Sequence, residues 1–176
     1  SVPYRLGEYT YYRRYEEGHQ YPIFARRGTA PGAPEQILLD VNGLADGHDY
    51  YAATYGSRSV SPDGRYLAWS ADTAGRRFYT IRFLDMQTGR MLGESIPDVT
   101  GNLAWANDGR TVFYAKQDPE TLRWDRIYRH ELGTDPSDDT LVYEEPDETF
   151  TTFVDRTRDG RYLLIGSEAS VCSEPI

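Results

Sequence analysis

Three short runs along this chain share one arrangement of polar and apolar positions. Ser61-Pro62-Asp63-Gly64-Arg65 leads into Tyr66-Leu67-Ala68-Trp69. Ala106-Asn107-Asp108-Gly109-Arg110 leads into Thr111-Val112-Phe113-Tyr114, and Thr157-Arg158-Asp159-Gly160-Arg161 leads into Tyr162-Leu163-Leu164-Ile165. In each, an Asp-Gly turn feeds a strand. Proline at the second position of Ser-Pro-Asp-Gly presets φ, and Gly takes the fourth position of a type I turn. The strands that follow are apolar at consecutive positions. A sheet covered on one face would alternate, so these strands predict cover on both faces. The three turn glycines lie 45 and then 51 residues apart, a spacing suited to a four-stranded propeller blade.

The second half of each unit recurs too. Ile81 to Met86 runs into Gln87-Thr88-Gly89, and Ile127 to Leu132 runs into Gly133-Thr134-Asp135. More polar outer strands follow, Arg90 to Ser95 and Thr140 to Glu145. Upstream, Tyr9 to Tyr15, Tyr21 to Arg27 and Gln36 to Asp40 read as the last three strands of a blade whose first strand is missing. Helical periodicity is absent, apart from a short turn at most over Leu44 to Tyr51. The expectation is all-β: a partial β-propeller of about three to four four-stranded antiparallel blades. Residues 1–45 form an incomplete first blade, 46–97 and 98–148 two whole blades, and 149–176 the start of a fourth.

Composition narrows the function classes. A net charge of −9, spread diffusely, argues against a nucleic-acid surface. No apolar stretch is long enough to cross a bilayer. A single cysteine, Cys172, leaves no internal disulfide and fits a reducing, cytoplasmic setting. Eighteen of the 19 basic residues are arginine, Lys116 being the exception, which reads as codon bias before recognition.

Candidate chemistry is sparse. A serine nucleophile needs Gly-x-Ser-x-Gly on a strand-to-helix turn. Gly56-Ser57-Arg58-Ser59 and Gly166-Ser167-Glu168-Ala169 both lack the second glycine and a following helix. His19, His48 and His130 are scattered and read as surface or hydrogen-bonded structural histidines. One Cys and three separated His do not make a zinc site. Asp135, Asp138 and Asp139 lack calcium-loop spacing and read as a solvated loop. Glu144, Glu145, Asp147 and Glu148 could attract a cationic substrate, but simple solvation is the better reading. The expectation is therefore no catalytic residue, no cofactor and no metal within the chain.

Longer runs carry a family likeness. Tyr11-Tyr12-Arg13-Arg14-Tyr15-Glu16, Tyr21-Pro22-Ile23-Phe24, Leu38 to Asn42 and Gly47 to Tyr51 resemble the propeller of the prolyl oligopeptidase family. The run from Tyr50 to Asp85, with Tyr128 to Pro136 and Val142 to Glu145, resembles its oligopeptidase B branch. That resemblance implies a seven-bladed propeller over an α/β-hydrolase domain whose Ser-Asp-His triad cleaves short peptides after Arg or Lys. The propeller would cover the active site and restrict substrate size. The catalytic domain and the later blades are missing here, so the oligopeptide would be cut outside this chain. The alternative is a non-catalytic propeller binding module of the periplasmic translocation-protein type, which Ser-Pro-Asp-Gly fits equally. An open ring also implies self-association through uncovered faces, with Leu163, Leu164 and Ile165 at one end and Ile23, Phe24, Ile37, Leu38 and Leu39 at the other.

Overall fold

The computed structural model describes residues 2–53 and 58–169. Four strands open the chain: β1 (Tyr4–Leu6), β2 (Tyr9–Arg14), β3 (Ile23–Gly28) and β4 (Glu35–Asp40), paired in that order as an antiparallel meander. The first sheet therefore holds four strands, not three. The extra one is β1, whose three exposed residues give no periodic signal and which pairs Tyr4 with Tyr11. The helical turn also falls earlier than expected. It is α1 (Val41–Ala45), started by Asp40, whose side chain accepts from Asn42 N at 3.0 Å.

Seven strands follow in one continuous sheet: β5 (Arg58–Val60), β6 (Tyr66–Ala71), β7 (Tyr79–Asp85), β8 (Arg90–Trp105), β9 (Thr111–Gln117), β10 (Trp124–Glu131) and β11 (Thr140–Glu144). The continuity comes from β8. Its Arg90–Val99 half pairs with β7, and its Val99–Trp105 half pairs with β9. One long strand thus serves as the outer strand of one meander and the first strand of the next. Asp98, at φ 57°, and Gly101, at φ 90°, mark the bend between the halves. A hairpin of β12 (Phe150–Arg156) and β13 (Leu163–Ala169) ends the described chain. This open, curled set of antiparallel meanders is a partial propeller.

The Asp-Gly turns are built alike. Gly64, Gly109 and Gly160 each donate their N–H to the carbonyl three residues back, at 2.8, 3.3 and 2.8 Å, with φ between 67° and 70°. In the first turn the Ser61 hydroxyl accepts from Tyr66 N and donates to Asp63. Thr157 does both jobs in the third turn. Ala106 has no hydroxyl, so in the middle turn Thr111 donates to Asp108 instead, at 2.7 Å.

The core lies in the seams between sheets. Tyr11, Phe24, Leu39, Leu67, Trp69 and Met86 fill the seam between the first meander and β5–β8. Phe83, Ile96, Leu103, Trp105, Val112 and Tyr114 fill the next. Ala104, Ala115, Ile127 and Val154 fill the third, with Leu163 packed against them. Strand β6 is buried from Leu67 through Ala71 because seams lie on both its faces. Ile23, Phe24, Leu38 and Leu39 are therefore not an uncovered face. They are buried against their neighbours, and of that expected group only Ile37, at 52%, is exposed. At the other end Leu164 and Ile165 are exposed and Leu163 is half-buried.

Candidate functional site

The inner wall offers room for a ligand. Strand β5, the second half of β8, and β12 lie side by side there as the first strands of successive meanders. Their free edges would leave backbone groups unpaired. Side chains borrowed from the neighbouring strand fill those edges. The Trp105 indole Nε1–H donates to Ser59 O at 2.8 Å, joining β8 to β5. The Asn102 amide joins β8 to β12 twice: its Oδ1 accepts from Val154 N at 2.8 Å, and its Nδ2 donates to Val154 O at 2.9 Å. Arg156 reinforces this seam, donating to Trp105 O at 3.2 Å, to Gly160 O at 2.8 Å and to Asn107 Oδ1.

A cavity of about 710 Å³ lies along this wall. Arg58, Arg156, Asp155 and Glu168 give it charges of both signs, and Leu122, Trp124 and Phe153 give it apolar surface. Among the described residues it contains no nucleophile paired with an oriented base.

The candidate catalytic residues disperse. Ser57 lies outside the described residues. Ser167 sits within β13, on a strand and not on a nucleophile elbow, with Tyr143 Oη 3.4 Å away. His19 is exposed beside Glu16, and His48 tilts against Tyr51 with ring centroids 5.9 Å apart. His130 is fully buried and structural. Its Nδ1 is 2.7 Å from Asp139 Oδ1, its Nε2 is 3.1 Å from Glu94 Oε2, and its ring stacks on Phe83. Tyr114 Oη donates to Asp139 at 2.8 Å, and burial, followed by that carboxylate, raises the Tyr114 pKa.

Two acidic expectations need correcting. Asp139 is not a solvated loop residue, because its side chain closes the His130 network. Glu145 is buried, accepting from Tyr143 Oη at 2.8 Å and from Asp147 N at 3.1 Å. Next to it, the Arg123 guanidinium donates to the carbonyls of Glu145, Asp147 and Phe150. Sequence reasoning missed Asn102, Trp105 and Arg123. Each acts across a seam on backbone about 22 to 52 residues away, so no local pattern marks them. No group of three or more His, Cys, Asp or Glu suited to a metal occurs among the described residues.

This layout of meanders matches the family of the prolyl oligopeptidase N-terminal β-propeller domain over residues 1–174. The chain belongs to that family. Dipeptidyl aminopeptidase BI of Pseudoxanthomonas mexicana is 45% identical over 99% of this chain, and Protease 2 of Moraxella lacunata is 34% identical over 99%. Among solved structures, oligopeptidase B from Leishmania major superposes with a TM-score of 0.88 at 32% identity over 96% of this chain. Oligopeptidase B from Trypanosoma brucei does so with a TM-score of 0.83 at 28% identity over 96%. The chain spans 26% of the length of each of the two curated relatives and 24% and 23% of the two structures. The prolyl oligopeptidase propeller family is one of serine peptidases. The residues here correspond to the family's N-terminal propeller part.

Proposed function

We propose that this propeller segment is the gating and size-selecting part of a serine oligopeptidase that hydrolyses short peptides after Arg or Lys. The observation that carries the reading is the family match over residues 1–174, together with inner strands joined edge to edge into a continuous wall. In this reading the wall continues into a seven-bladed ring over the catalytic chamber. The seams keep folded proteins out, because opening one exposes buried backbone groups. The segment itself contributes no nucleophile. Its compartment is the cytoplasm. Among the described residues no helix is long and apolar enough to cross a membrane. Exposed Tyr162, Leu164 and Ile165 support self-association of the segment when it is isolated.

The test is hydrolysis by the whole protein of reporter peptides ending in Arg or Lys, inhibition by a serine-directed phosphonate, and loss of turnover as the substrate grows into a folded domain. The isolated segment is expected to be inactive. Equal rates on folded and short substrates would overturn the gating role. A second reading, release of dipeptides from a free N-terminus, is favoured by the 45% identity to Dipeptidyl aminopeptidase BI. Blocking the substrate N-terminus separates the two: an oligopeptidase tolerates the block and a dipeptidyl aminopeptidase does not.

A further inference from the structure

We propose that Asp46 is a site of spontaneous isoaspartate formation, and that the fold confines this modification to the turn that follows α1. Four Asp-Gly pairs, at Asp46, Asp63, Asp108 and Asp159, and one Asn-Gly pair, at Asn42, occur in the sequence. All share one chemistry. The glycine nitrogen attacks the side-chain carbonyl carbon of the residue before it, unhindered by a Cβ, and closes a succinimide ring. At Asp46 the bond from Gly47 N to Cγ forms and the Cγ–OH bond of the protonated carboxyl breaks. The amide proton leaves with the hydroxyl as water. A water molecule then reopens the ring. Attack at the main-chain carbonyl leaves the chain running through the side chain as isoaspartate, and attack at Cγ restores aspartate.

Local structure separates the five pairs. At Gly64, Gly109 and Gly160 the N–H is the donor that closes its own turn, at 2.8, 3.3 and 2.8 Å. The aspartates before them are held too. Asp63 accepts from Ser61 and from Arg65 N, Asp108 from Arg110 N and Thr111, and Asp159 from Thr157 and Arg161 N. The Asn42 amide is bound to both backbone groups of Tyr21. Asp46 and Gly47 are built differently. Asp46 at φ −61° and ψ 133°, Gly47 at φ 79°, and His48 N donating to Ala45 O at 3.1 Å make a type II turn. Glycine is here the third residue of the turn, so its N–H belongs to the central peptide and does not close it. Both residues are exposed, and a Cβ built on Gly47 would meet nothing within 4 Å. Rotating the central peptide toward type I geometry swings Gly47 N past the Asp46 side chain and keeps the Ala45–His48 bond. Glycine accepts the accompanying change in the sign of φ. The same rotation at Asp63, Asp108 or Asp159 breaks the bond that closes the turn.

Isoaspartate adds a carbon to the backbone inside this turn. The Ala45–His48 bond is then lost, and with it the placement of His48, whose ring tilts against Tyr51 at 5.9 Å, and of Tyr51, which is buried in the first seam. The test ages the whole protein in neutral buffer. Isoaspartate at each pair is measured by methylation with a protein-isoaspartate methyltransferase, followed by peptide mapping. It should accumulate at Asp46 at least about tenfold faster than at Asp63, Asp108 or Asp159, where a turn bond and a held carboxylate must both be released first. In urea, with the turns lost, the four rates should converge. Asp46→Glu, which would need a larger ring, should abolish the signal at that position and leave the other three unchanged. Ageing should speed amide exchange over Leu44 to Tyr51 in the unsubstituted protein and not in Asp46→Glu. Equal rates at the four Asp-Gly pairs of the folded protein, or faster accumulation at Asn42, overturns the inference. A preference for Asp46 that persists undiminished in urea also overturns it, because the cause would then be the flanking sequence and not the fold.

Discussion

Replacing Asn102 by Ala should unpick the seam between β8 and β12. The Asn102 amide supplies an acceptor and a donor to Val154, whose residue surface is only 2% exposed. Removing it leaves one buried N–H and one buried C=O without partners, at about 1–3 kcal/mol each, so the loss should be about 2–4 kcal/mol after channel water recovers part of it. Asn102→Asp keeps the acceptor for Val154 N but sets a carboxylate against Val154 O. It should cost at least as much at neutral pH and recover partly in acid, when the protonated carboxyl can donate. Urea denaturation measures the loss, and amide exchange at Val154 localises it. A change under about 0.5 kcal/mol with unaltered Val154 exchange would show that the seam is held by apolar packing alone and that the edge-filling argument is wrong.

Trp69→Ala, deep in the first seam, should cost about 3–5 kcal/mol, and a loss under about 1 kcal/mol by denaturant titration would refute its place in the core. Gly109→Ala should destabilise by more than about 1 kcal/mol, because φ is +67° and a Cβ would sit 3.3 Å from the Asp63 carboxylate; an unchanged melting point counts against that contact. Asp118, Asp135 and Asp147 have pKa values held low, in each case chiefly by backbone N–H groups two or three residues on, with Thr or Ser hydroxyls adding to this. Their folded pKa values lie below the unfolded ones, so their contribution is present above the ordinary carboxylate range and is lost as pH falls through the lowered values. Urea midpoints should therefore drop progressively below about pH 4, and a flat profile there would contradict this. Tyr114 runs the other way. Its folded pKa is raised, so its contribution is complete below the ordinary tyrosine value and fades above about pH 10, an effect that Tyr114→Phe should remove.

The local sequence determined the repeating unit. An Asp-Gly pair with a hydroxyl two residues before the Asp closes its own turn, and consecutive apolar residues after it require two covered faces. Those are short-range consequences of backbone φ and of burial, so the partial propeller was legible from the spacing of Gly64, Gly109 and Gly160. Strand β1 was not legible, because three exposed residues on a sheet edge need no apolar pattern. Nor was the identity of the covered end. Ile23 and Leu39 are equally apolar whether a neighbour covers them or not, and only the packing of β5–β8 against the first meander decided it. The candidate sites followed the same division. The absence of a nucleophile elbow at Ser167 could be read directly, whereas burial of His130 between Glu94 and Asp139 depends on three segments meeting. The same is true of Asn102 on Val154 and of Arg58 over Phe24, where a side chain satisfies a partner far along the chain and the fold alone brings the two within reach.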